Sequence, residues 1–304
     1  MRDSALKESP FRRGRSPGLM RTMHTILRLP VLALALAAVG CPSTSEEPQP
    51  DPTGLPQGDS TWSGTVELDG NEFLLSMTLS NDGGLLDAEV TFDETGNTAG
   101  FGSGTMTAQG THEPGSGRLA LSPIGWLEEP NVTPEMPGVT AIYDHATGTI
   151  TGTAIDYTRP DDNVLRGGAL LLTMDSGDGD PLGVGDEARS LAEGANDFAG
   201  TFQCTSAERE TEGTLTYDGE GAVTGEIVVG DPELATPLGT FEVTGVHDPT
   251  SGGITLAPGL WTSGTHSTLT FFVHGTYDPS TGTYDGDQGT NTGVCPPGQW
   301  SVEF

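Results

Sequence analysis

The chain has 304 residues, with 45 Gly and 22 Pro, 34% hydrophobic side chains and only 6% aromatic ones. Twelve Lys and Arg stand against 43 Asp and Glu, a formal charge of −31, which excludes nucleic-acid binding through phosphates and repels anionic lipid head groups. Glycine replaces bulk, so the composition argues against a helical bundle and for many short strands joined by tight turns.

Residues 1–40 hold seven of the 12 basic residues and two acids, Asp3 and Glu8. The basic stretch ends at Arg21 and Arg28 and leads into an apolar run, Leu29 to Val39, of 11 residues. A bilayer needs about 20, so the run suits the core of a signal peptide rather than a membrane span. Met20 or Met23 would begin a signal of ordinary length.

Ala38-Val39-Gly40-Cys41 follows directly. It resembles the lipobox of bacterial lipoproteins, where small residues precede a cysteine that is diacylated and becomes the new N-terminus. The resemblance implies removal of residues 1–40, a lipid on Cys41 and export to the bacterial cell envelope. Pro42 does not carry the Asp retention signal of enteric bacteria, which points to the outer membrane. An ordinary cleaved signal, with Cys41 free or paired, is the alternative. Assigning Cys41 to lipid leaves Cys204 and Cys295 as one pair, and an oxidising compartment permits their disulfide. A loop of some 90 residues would be closed, constraining the unfolded chain by about 4.5 kcal/mol in the entropic model. With no C-x-x-C and no His pair at ligand spacing, Zn and thioredoxin chemistry do not fit.

Beyond residue 40, five arginines (Arg118, Arg159, Arg166, Arg189, Arg209) face 41 acids, a formal charge of −36. Such a field attracts cations, calcium included, only diffusely. Residues 41–60 are Pro-rich and polar without apolar periodicity, and read as an extended tether.

The rest of the chain is duplicated. Trp126 in LSPIGW recurs as Trp261 in LAPGLW, 135 residues on; Gly117 and Gly252 also differ by 135, Gly148 and Gly282 by 134, Gly64 and Gly200 by 136. These offsets define repeat 1 at 61–174, an acidic, Gly-rich linker at 175–196 and repeat 2 at 197–304. Within repeat 1, Val66 and Leu68, then Leu75, Met77 and Leu79, then Leu86, Ala88, Val90 and Phe92 alternate with period two, as half-buried antiparallel strands require. Phe202, Leu215 with Tyr217, Ile227 with Val229, and Phe241 with Val243 repeat the pattern in the second copy. Four hairpin signals recur, HEPGSG at His112, YDHATG at Tyr143, HDPTSG at His247 and YDPSTG at Tyr277. In each, an acid can accept turn amides and Gly can take the left-handed position. The expected fold is all-β: two tandem homologous antiparallel meander barrels of about eight strands each, with β-sandwiches as the alternative and a disordered leader and linker.

The run G-[ST]-[FM]-x-x-x-G-x-[HY]-[DE]-P-x-[ST]-G-x-[LI]-x-L-x-P-x-x-W, followed by a Tyr-Asp hairpin, resembles an uncharacterised β domain of exported bacterial proteins. In that domain an early G-x-[YF]-x-C and a late Cys bracket the repeat. Gly200 to Cys204 and Cys295 match it in the second copy, whereas Leu68 stands at the place of Cys204 in the first. The resemblance covers most of both copies and implies a fold but no activity.

Catalytic motifs are missing beyond residue 40. The one G-x-S-x-G, Gly14 to Gly18, lies in the leader, and H-E-x-x-H, a P-loop and the dinucleotide fingerprint are absent. Glu128 and Glu129, after Trp126, are the best paired carboxylates for acid/base work on a sugar, but the second copy has Thr262-Ser263-Gly264 there. His112 and His247, at equivalent strand ends, suit a packing role. Asp175, Asp178 and Asp180, and Asp285 with Asp287, resemble starts of Asp-rich loops without an EF-hand register. Trp126 and Trp261 are the candidate ligand-stacking residues, with plugging of a barrel end as the blander role. No catalytic residue, metal site or cofactor is expected. The reading is a non-enzymatic, lipid-anchored binding or structural module with an unidentified protein or glycan partner. A lipocalin-like carrier of a lipophile is second, since eight-stranded barrels can enclose a ligand, and a carboxylate hydrolase is third.

Overall fold

A computed structural model describes residues 54–68, 70–93, 103–130, 137–155, 163, 167–204, 207–230, 238–264, 270–289 and 298–304. The predicted leader, Cys41 and most of the tether lie outside these residues. All regular structure among them is strand.

Period-two burial produces the first barrel from β1 (Gly58–Leu68), β2 (Asn71–Asp82), β3 (Leu85–Asp93), β4 (Gly104–Glu113), β5 (Arg118–Glu128), β6 (Gly138–Asp144), β7 (Thr149–Ile155) and β8 (Gly167–Gly177). Each strand pairs antiparallel with the next, and β8 closes on β1. The second barrel repeats the plan with β9 (Gly194–Cys204), β10 (Ala207–Tyr217), β11 (Ala222–Val229), β12 (Gly239–His247), β13 (Gly253–Gly264), β14 (Phe272–Asp278), β15 (Thr283–Gly289) and β16 (Gly298–Glu303), closed by β16 on β9. A barrel, rather than a sandwich, is the outcome, and closure leaves no unpaired sheet edge.

Closure depends on close backbone approach. Gly64 in β1 pairs with Leu172 of β8, and a Cβ on it would stand 1.9 Å from the Leu171 carbonyl oxygen. Gly200 holds the same place in β9, with the Ser301 carbonyl 2.0 Å from its would-be Cβ. The duplicated glycines are therefore the seams of the two barrels.

The hairpin signals form the turns expected of them, all at one end of each barrel. Asp144 accepts the Ala146 amide at 2.9 Å, and Asp248 accepts those of Thr250 (3.1 Å) and Ser251 (3.0 Å). Gly117 (φ 71°) and Gly252 (φ 78°) adopt the left-handed conformation that an L side chain resists. Their carbonyls each accept the amide of the next turn's tyrosine, Tyr143 and Tyr277, at 2.8 Å. Adjacent hairpins are thus tied into a hydrogen-bonded rim.

Parts of the two segments expected to be an extended tether and a disordered linker are placed against the barrels. Leu55, inside the predicted tether, is fully buried, and β1 begins at Gly58. In the predicted linker, β8 runs on to Gly177, Pro181 bridges to Pro56, Leu191 is buried and β9 begins at Gly194. One leucine among prolines and glycines has no periodicity to reveal it, yet each plugs the end of its barrel.

The barrels pack against each other as parts of one compact unit, Pro50–Phe304. β2 alternates strictly, whereas the first six residues of β13 and most of β4 are buried on both faces. Thr111 and Thr255 share a hydrogen bond of 2.8 Å across the junction. Ile155, Ala257 and Phe272 form a small apolar cluster of their own, and the Phe272 ring fills the space a Cβ on Gly138 would need. The contact is reciprocal: the Asp248 carboxylate sits over Gly84, and the Glu113 side chain over Gly221, the matching turn of the other barrel. Phe272→Ala should cost about 3 kcal/mol and split one calorimetric unfolding transition into two. A single transition, unshifted, would show that this cluster does not couple the barrels.

Candidate functional site

The two interiors differ in a way that bears on ligand binding. Where the first barrel has Val66, Met106, Ile150 and Leu170, the register of the second places Phe202, Phe241, Tyr284 and Trp300. Those rings fill the second core: Phe202 and Phe241 lie 4.8 and 5.3 Å from Phe271, and Tyr284 lies 5.1 Å from Trp300, by centroids. The smaller side chains of the first barrel leave an apolar cavity of about 20 Å³, lined by Val66, Met106, Ile150 and Leu170 among others. That is room for about one water, whereas small-molecule pockets run to about 300–1,000 Å³.

Trp126 and Trp261 occupy equivalent places. Register shifts at Thr105/Met106 and Thr240/Phe241 bulge the strand pairs β4–β5 and β12–β13, which bends β5 and β13 over their barrels. Each indole lies against a glycine of the preceding strand, Gly104 or Gly239. The rings are half-buried, 6.2 Å from Phe92 and 5.2 Å from Phe241 by centroids. Asn163, from the β7–β8 connection of the first barrel, bonds both the amide and the carbonyl of Trp261 at 2.8 Å. The tryptophan of one barrel is thereby held by the other.

The acidic candidates do not converge. Glu128 and Glu129 are exposed at the end of β5. Asp175 accepts the Ser63 hydroxyl at 2.8 Å, Asp285 accepts that of Ser301, and Asp287 is exposed on β15. Among the described residues no three His, Cys, Asp or Glu side chains are placed to hold a metal ion.

His112 and His247 have a more specific role than strand-end packing. Both are fully buried. His112 Nε2 accepts the Leu55 amide at 2.9 Å, and His247 Nε2 accepts the Leu191 amide at 3.0 Å. A neutral ring then carries its proton on Nδ1, which donates to the carbonyl of Arg118 (3.1 Å) or Gly253 (3.0 Å). Each imidazole fastens the leucine plug to the rim of its barrel. Burial lowers the pKa of both to about 4. The sequence carries a signal for this clamp: Leu-x-x-Gly-x-x-x-[Trp/Phe] occurs at Leu55 and again at Leu191, 136 residues on.

Cys204 ends β9, and Cys295 lies outside the described residues. Compared with protein-family models and with curated proteins, the chain matches none.

Proposed function

We propose that this chain is an exported lipoprotein of the bacterial cell envelope, anchored through a lipid on Cys41, with twin barrels that act as a non-catalytic binding or structural module. The basic region, the 11-residue apolar run and Ala38-Val39-Gly40-Cys41, in that order, support the anchor. The observation that carries the binding role is the small first-barrel cavity of about 20 Å³, which leaves recognition of a protein or glycan to the outer surface. A carrier would need a chamber more than tenfold larger. The Cys204–Cys295 disulfide belongs to the same proposal. In its support, β16 begins at Gly298, three residues past Cys295, and runs antiparallel to β9, which ends at Cys204.

Intact-mass spectrometry of the membrane-extracted protein tests the reading. The expected species lacks residues 1–40, carries acyl mass on Cys41 and gains the mass of two hydrogens on reduction. Cys41→Ser should move the protein from the membrane to the soluble fraction. Persistence in the membrane would point to an uncleaved leader, and a lipophile retained under native conditions would replace the binding module by a carrier.

A further inference from the structure

The junction of the barrels forms a groove of about 340 Å³ that neither copy has alone. One wall comes from β5, β6 and β7, the other from β11 and β12. In a sequence with 43 acids, no acidic residue is among the described residues that line it. Arg118 lines the first-barrel wall, and its Nε is buried without a hydrogen-bond partner among the described residues. The second copy has Gly253 at the equivalent position, so the duplication has acquired this cation on one side only.

Four hydroxyls share the groove: Thr140 and Thr151 from the first barrel, Thr224 and Thr244 from the second. Ile142, 48% exposed, supplies an apolar face beside Arg118, its register partner across β5 and β6. A planar fork of donors suits a carboxylate, threonine hydroxyls suit a polyol, and Ile142 suits the C–H face of a sugar ring. A peptide is favoured less, because both barrels are closed and offer no free strand edge for backbone pairing.

We propose that this inter-barrel groove binds an acidic saccharide, a sugar whose carboxylate pairs with Arg118 while its hydroxyls meet the threonines of both barrels. The inference rests on the reading that the module acts through its outer surface, and it names the site and the ligand class.

Calorimetric titration of the full chain with a hexuronate disaccharide, its neutral counterpart and a short peptide with a free C-terminal carboxylate decides the matter. The acidic disaccharide should bind saturably, the neutral one at least about tenfold more weakly. Arg118→Gln should weaken the acidic disaccharide about tenfold or more, and Arg189→Gln, outside the groove, should not. Should Arg118→Gln lose its cooperative melt, Thr224→Val with Thr244→Val tests the opposite wall and should weaken binding likewise. Equal binding of the two disaccharides, undiminished binding by the groove variants, or no binding overturns the proposal. Arg118-dependent binding of the peptide alone overturns the saccharide class. Failure here, with membrane anchorage intact and no lipophile retained, strikes the groove and leaves the proposed function standing.

Discussion

Acidification from pH 6.5 towards pH 4 is expected to destabilise both barrels together, through the histidine clamps. An unfolded imidazole titrates near 6.5, whereas burial holds His112 and His247 at about 4 in the folded protein. Between those values the unfolded chain binds more protons, so stability rises with pH across the window and is lost as the pH falls through it. Each histidine accounts for about 3 kcal/mol at full protonation, against a total stability on the order of 5–15 kcal/mol. His274, bonded through Nδ1 to Thr255 at the barrel junction (2.8 Å), is also held at about 4 by burial and adds to the loss. Asp248 opposes it: burial raises its carboxyl above the usual value, and the folded state then gains protons as the pH falls. One acid working against three histidines leaves the net slope positive. Protonation acts at a defined place, because a charged ring would direct a second N–H at the Leu55 or Leu191 amide. Thermal melts between pH 7.5 and pH 4 check this, and a flat profile would refute it. His112→Ala, at neutral pH, leaves a buried amide and a carbonyl unpaired and should cost about 3–5 kcal/mol.

Gly64→Val and Gly200→Val are expected to abolish folding of the barrel they close. The obstacle in each case is a backbone oxygen of the paired strand, 1.9 Å from the new Cβ at Gly64 and 2.0 Å at Gly200. A flexible side chain could swing away, but a carbonyl held in a strand ladder cannot move without parting β1 from β8, or β9 from β16. The loss should exceed about 4 kcal/mol. Gly125→Ala is the control, since a Cβ there meets nothing within 4 Å and its φ is not positive. Soluble yield and far-ultraviolet circular dichroism of the three variants give the answer. Normal folding of Gly64→Val would mean that the seam is looser than its geometry indicates.

The turn chemistry was legible because it is local. His112-Glu113-Pro114-Gly115-Ser116-Gly117 and its three relatives contain the acid, the turn residues and the left-handed glycine that make the hairpin. The strand faces were legible for the same reason, since Leu86, Ala88, Val90 and Phe92 alternate within one short segment and are all buried. Leu55 and Leu191 have no such period, and only the recurrence of Leu-x-x-Gly-x-x-x-[Trp/Phe] 136 residues on marks them in the sequence. Their partner, a histidine 56 or 57 residues away, is settled only when the barrel brings its rim together.

Local sequence specified the duplication, a meander of about eight strands in each copy and the turns, all properties of neighbouring residues. The expected barrel is the one that forms, but period-two alternation is the same in a barrel and a sandwich, so tertiary structure settles the closure through the strands that meet at Gly64 and Gly200. It also decided that the barrels are joined. Thr111, Thr255 and Gly138 look like solvent-facing positions in the alternating pattern, and only the second barrel, set against the first, buries them. Arg118 stands beside the threonines of another domain for the same reason: a groove between two folds belongs to neither stretch of sequence.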